Sequence, residues 1–217
     1  NRRETIALHT GGRHEYHLSR TLYSADVVIS VPKMKVHKKV GVTLNLKGLV
    51  GTVTNKNCLV HYRLGTPSAG GDQLPDNAPS SDLQMVRLKR WLMDRTVSYQ
   101  NVYGDHVYQQ VRWLYRRLIR PFRKVSAGTR IRDAGNWSGN DSAWRMTVDL
   151  AKLFFFLDKD GSLKPEPPRR FFSIVDGVVG GEGEGPLSPT SVAAGCVVVG
   201  ENPIAVDPVS PRNRRAG

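Results

Sequence analysis

Two short apolar runs constrain this chain more than anything else in it. Asp26-Val-Val-Ile-Ser-Val31 is β-branched and stopped by Pro32, and Phe171-Phe-Ser-Ile-Val-Asp176 ends in an aspartate. Runs of this kind read as buried strands, and proline holds the residue before it in extended backbone. A further strand is expected near 193–199. Between them lie segments with helical spacing, at 82–97, 105–125 and 142–157. In 105–125, Val107, Val111, Leu114 and Leu118 recur on one face, and Pro121 should kink or end the helix. In 142–157, Trp144, Val148, Ala151 and Phe155 are expected to share a face, with Asp141 as the N-cap. Alternating strands and helices predict an α/β fold, with a mostly parallel or mixed sheet flanked by helices.

The 217 residues suit one α/β domain carrying an insertion. No apolar run approaches the roughly 20 residues needed to span a bilayer. Cys58 and Cys196 lie far apart and form no CxxC pair, so this chain's own cysteines build neither an iron–sulfur cluster nor a structural zinc site. A reducing cytoplasm is the expected location.

The net charge of +13 is unevenly spread. Residues 82–132 hold twelve Lys and Arg against three acids, so this basic helical insertion supplies nine of the thirteen charges. Such a distribution disfavours nucleic-acid binding across the whole protein. A stripe of Arg112, Arg116, Arg120 and Arg123 instead suits an anionic surface or an acidic protein partner. The alternative is a core-packed helix with a solvated basic face.

Three stretches could carry chemistry. VPKMKVHKK, 31–39, is expected as a basic loop at a strand end, where ligands of open α/β sheets bind. If it is extended, Lys33, Lys35 and His37 share one side. Lysines there would neutralise a phosphate or carboxylate. The alternative is a solvated basic turn. The following segment, 41–53, favours helix and contains Lys47. The second stretch, GNWSGNDSAWRMTVD at 135–149, groups Asn140, Asp141, Arg145 and Asp149. The four-residue spacings allow an ion-pair ladder, or a helix start that projects Asn140 and Asp141 into a site.

The third stretch runs from Asp176 through Gly177-Val-Val-Gly-Gly-Glu-Gly-Glu184, expected as a loop, to Glu201, Asn202 and Asp207. Hard cations such as Mg²⁺ take one or two carboxylates in an open site. Asp176, Glu182 and Asp207 are therefore candidate metal ligands. The alternative is a mobile hairpin without a ligand. Asp158-Lys-Asp-Gly161 begins like a calcium loop, but the closing glutamate position falls on Arg169, so a simple turn is expected.

These motifs, in this order, resemble the prokaryotic domain-of-unknown-function family 362. The resemblance rests on ADVVISVPKMKVH, LNLKGLVG, GNWSGNDSAWRMTVDL, FSIVDGVVGGEGEGPLSP and GENPIAVD. It implies a cytoplasmic α/β protein. Some members carry an added four-iron ferredoxin module, whose cysteine array is missing here. Family members usually continue after AVD with a helix; here Pro211 is expected to disrupt it, leaving an unstructured basic tail over 208–217. With Asn1 at its start, the chain is expected to be a fragment, incomplete at both ends.

The functional expectation is an enzyme acting on an anionic small molecule or conjugate. Lys33, Lys35, Lys47, Asn140, Arg145 and Asn202 would bind substrate, and Asp176, His37 and Asp141 would serve catalysis. A divalent metal such as Mg²⁺ would assist. The runner-up is a non-catalytic binding or redox-partner module that recruits an iron–sulfur protein through the basic helices.

Overall fold

A computed structural model describes residues 2–60, 63–88, 90–91, 109–110, 113–114, 117 and 135–212. The chain divides into two compact units. One comprises residues 1–2 and 62–140, the other 3–61 and 141–217.

The larger unit holds a six-stranded mixed sheet. Its elements are α1 (Arg2–Leu8), α2 (Arg20–Ser24), β1 (Val27–Ser30), β2 (Lys33–His37), β3 (Gly41–Thr43) and α3 (Asn45–Gly48). After α4 (residues 80–88) of the smaller unit come α5 (Ser142–Phe156), β4 (Arg170–Glu184), β5 (Ser188–Val192), β6 (Cys196–Gly200) and α6 (Pro203–Arg212). No helix among the described residues is long and apolar enough to cross a membrane.

β4 is the spine. Along one edge β1 pairs parallel with it, Val27 opposite Arg170 and Ser30 opposite Ser173. β2 continues at the same offset, Lys33 opposite Asp176. The Asp26 and Pro32 carbonyls accept from Arg170 N and Asp176 N, both at 2.9 Å. β1 and β2 are thus one strand interrupted at Val31-Pro32, where an edge tolerates the lost donor. β6 and then β5 run antiparallel along the other edge, and β3 pairs antiparallel with β2.

Between Lys33 and Lys35 the register jumps, because two steps along β2 match five along β4, from Asp176 to Gly181. β4 therefore bulges outward through Val178 and Val179, both exposed. Bulges of this kind bend a strand and re-aim its side chains.

One sheet face is packed. Phe171 joins Met146, Leu150, Phe154, Val53 and Cys58 in one core cluster, and Met34, Leu44, Val175 and Val206 form a second. The buried Arg169 guanidinium donates to the carbonyls of Phe154, Leu157 and Tyr23, closing the otherwise unpaired end of α5. The other face bears Val27, Ile29, Ile174, Val197 and Val199, all exposed.

Several expectations change here. β1 is not a buried strand: Ile29 is 62% exposed, because the core clusters lie on the opposite face. On α5 the buried residues are Ala143, Met146, Thr147, Leu150, Ala151 and Phe154, while Trp144 and Val148 are exposed. The 41–53 segment is not one helix; it divides into β3, α3 and a 3-10 turn over Leu49–Thr52. The tail expected to be unstructured from Pro208 continues helically to Arg212, through Pro208 and Pro211. Residues 213–217 lie outside the described residues.

In the smaller unit, the 63–76 loop folds tightly on itself. Gly71 passes so close to Gly65 that a side chain would collide with its backbone. Asp72 accepts from Arg63 N at 2.7 Å, and Ser68 Oγ donates to Asp76 at 2.6 Å. Much of the basic insertion, including Arg112, Arg116, Arg120 and Arg123, lies outside the described residues; the described Arg117 stacks over Trp113, 5.1 Å from the ring centre.

Candidate functional site: a lysine corner on β2, β3 and α3

The basic stretch after Val31 is a strand, not a loop, and extended backbone is what separates its side chains. Met34 is buried in the core while Lys33 and Lys35 leave the opposite side. His37 leaves β2 on the same side as Lys33 and Lys35, by strand alternation, but is buried, and its Nδ1 accepts from Lys39 N at 3.1 Å.

The glycine-rich stretch is likewise strand and hairpin rather than a loop. Its glycines are explained by close packing against β2. A Cβ at Gly181 would lie 3.2 Å from Lys35 Cβ and 2.8 Å from Pro189 Cβ. One at Gly185 would collide with the Val36 carbonyl oxygen. Glycine permits such approach where any side chain would push the strands apart.

The acids of this hairpin neutralise two of the lysines. Lys33 Nζ donates to Asp176 Oδ2 at 2.8 Å. The other oxygen of Asp176 accepts from Val178 N at 3.1 Å and so ties down the start of the bulge. The hydrogen bond from Lys33, with that from Val178, holds the Asp176 carboxyl below its ordinary range. Lys38 pairs with Glu184. Glu182 is exposed beside them, and leaves β4 on the face opposite Gly181 and Lys35.

Lys35 and Lys47 are different. Neither has a hydrogen bond or ion-pair partner among the described residues. Both are partly buried. Desolvation pushes the Lys47 ammonium below its ordinary value, and the positive charge of Lys35 adds to the effect. Thr43 faces Lys35 across the β2–β3 ladder, and its Oγ1 is buried with no hydrogen-bond partner. Lys35 and Thr43 therefore face each other with their bonding capacity unused, and Lys47 feels the charge of Lys35.

The backbone that carries Lys47 is fixed from below. Asp207, buried on α6, accepts from Asn45 N at 3.1 Å, Asn45 Nδ2 at 2.8 Å and Leu46 N at 2.9 Å. The buried Ser173 hydroxyl donates to Asn45 Oδ1 at 2.9 Å. Burial raises the Asp207 carboxyl, opposed by those three donors. This network sits on the packed side of the sheet. Ser173 and Asp176, three residues apart on β4, leave opposite faces.

The expected metal ligands are therefore not brought together. Asp176 lies on the open face beside Lys33, and Asp207 is occupied beneath α3. Among the described residues, no group of three His, Cys, Asp or Glu side chains is placed to hold a metal. Cys58 is buried in the first core cluster, and Cys196 packs against the second.

The remaining candidates act locally. Asn202 Oδ1 accepts from Ile204 N at 2.9 Å and caps α6. Asn140, in the smaller unit, donates to the Asp72 and Gly135 carbonyls at 2.9 and 2.6 Å. Asp141 precedes α5 but makes no side-chain cap. It pairs with Arg145 at 2.7 Å, and both are exposed. Asp149 does not extend the ladder; it accepts from Tyr16 at 3.1 Å.

Thr43 is the residue that sequence reading missed. Its only signal was the β-branched pair Val42-Thr43 directly before the LNLKG motif. No curated protein and no solved structure matches the chain. A family comparison matches residues 1–211 to "Domain of unknown function (DUF362)", and the chain belongs to that family.

Proposed function

We propose that the corner formed by Lys35, Lys47 and Thr43 binds a small anionic molecule, the substrate of an enzyme. The observation that supports this reading is the pair of uncompensated lysines beside a buried, unpartnered hydroxyl. Leaving a polar group buried without a partner costs about 1–3 kcal/mol. The charge of Lys35 adds to the desolvation of Lys47. An anion between them relieves both penalties, and phosphate or carboxylate oxygens suit point-charge lysines as well as a hydroxyl donor.

Lys33 takes a supporting part. Its partner Asp176 is half-exposed, so an incoming anion competes with a weakly held carboxylate. A divalent cation enters this reading only with the anion, against that same carboxylate.

Thermal-shift titration with inorganic phosphate, a dicarboxylate and a nucleotide tests the reading. Wild type and Lys33→Met are expected to shift with at least one of these anions, and Lys35→Met and Lys47→Met to lose the shift. No shift in wild type, or equal shifts in all four proteins, counts against it. Repeating the titration with Mg²⁺ shows whether metal strengthens the binding.

A further inference from the structure

The smaller unit turns large apolar side chains outward where the chain's charge is most concentrated. Its helix α4 buries Val86 and half-buries Leu83. Met85, Leu88 and, in the helical backbone at 90–91, Trp91 follow at three-residue intervals. At 3.6 residues per turn they span an arc of about 120° on the side away from Val86. They are 41%, 51% and 52% exposed. The other described positions on that arc, Ser81 and Gln84, are uncharged. A solvated helix face is ordinarily polar and charged. Trp113 and Leu114 are also exposed, and the Arg117 guanidinium lies over the Trp113 ring. Scattered exposed apolar residues are ordinary; three large ones sharing one helix face mark a contact surface.

Charge says what meets it. No acid lies between Asp82 and Asp94, whereas Arg87, Lys89 and Arg90 do. With twelve Lys and Arg against three acids over 82–132, a second copy is repelled and an anionic partner attracted. A nucleic-acid backbone would take up the cations and leave Met85 and Leu88 in water. An anionic bilayer surface uses both kinds of side chain. Its headgroups attract Lys and Arg, its interface suits Trp, and Met and Leu enter the acyl boundary. Arg117 over Trp113 covers an apolar ring while its charge reaches the headgroups.

We propose that the Met85–Leu88–Trp91 face of α4 docks on an anionic lipid surface, lying in the interface rather than across the membrane. The proposal is independent of the lysine corner.

Co-sedimentation with vesicles of phosphatidylcholine, alone or with an equal part of phosphatidylglycerol, tests it. Wild type should bind the anionic vesicles and bind the neutral ones far less. The uncharged double variant Met85→Gln, Leu88→Gln should bind anionic vesicles about tenfold more weakly, with duplex DNA binding unchanged. Val148→Gln, an equally exposed apolar position on α5, should bind vesicles as wild type does. Brominated acyl chains should quench wild-type tryptophan fluorescence, and quench it less when Trp91→Phe is introduced. That readout decides the matter without the double variant, should the latter unfold early. No binding to anionic vesicles, equal binding by the double variant, or absence of quenching overturns the proposal. Binding to duplex DNA or polyglutamate without binding to vesicles overturns it too, and assigns the face to a nucleic acid or an acidic protein.

Discussion

Two polar clusters meet at residues 43–47 and have opposite characters. On the packed side of the sheet, Asp207, Asn45 and Ser173 are buried, and the Asp207 carboxylate accepts three N–H donors. On the other side, Lys35 and Thr43 face each other, and with Lys47 of α3 they are partly buried and leave two ammonium groups and a hydroxyl unused. The first cluster is finished by the fold itself. The second is finished only by something from outside. Buried polar groups persist when they are satisfied, so the unsatisfied cluster is where function is sought.

The largest expected effect comes from breaking the finished cluster. Asp207→Ala leaves Asn45 N, Asn45 Nδ2 and Leu46 N without an acceptor. It should destabilise the protein by on the order of 3 kcal/mol, read from urea unfolding. An unchanged midpoint would show that α3 does not depend on this carboxylate. Ser173→Ala removes one buried hydrogen bond and should cost about 1 kcal/mol in the same assay.

The open cluster should respond in the reverse sense. Lys47→Met removes a desolvated charge without breaking a bond, so stability at neutral pH should hold or rise while anion binding is lost. The pH dependence sharpens this. The Lys47 pKa is lower folded than unfolded, so between that lowered value and 10.5 the unfolded chain binds more protons. Stability should therefore climb with pH through that window and level off above it. The difference between wild type and Lys47→Met isolates the slope, and its absence would show that Lys47 is not desolvated.

The smallest effect belongs to the exposed Asp141–Arg145 pair. Arg145→Ala should change stability by only about 0.3–0.5 kcal/mol. A loss several times larger would mark that helix start as more than a surface contact.

The sequence made the α/β class legible, because β-branched runs and helical periods survive in one dimension. Lys33 and Lys35 were legible as candidates too, through charge at a strand end, and Lys47 was named with them from the segment expected as helix. What sequence could not show was which lysines are neutralised. Asp176 and Glu184 choose Lys33 and Lys38 across more than 140 residues, and that choice depends on register. The bulge in β4 escaped for the same reason. Its glycines and valines read as a loop until β2 is laid beside them, where Gly181 and Gly185 become points of close strand contact. Asp207 looked like a metal ligand because a carboxylate after a strand commonly is one; only the fold shows three N–H donors already on it. Pro211 reads as a breaker, yet α6 runs through it to Arg212.

The most direct measurement is an NMR titration of the lysine side chains, with Lys47 assigned by Lys47→Arg. Lys47 should titrate below 10.5, move upward when phosphate saturates the corner, and also move upward in Lys35→Met without phosphate. A Lys47 that titrates at or above 10.5 and ignores both phosphate and Lys35 would contradict the account.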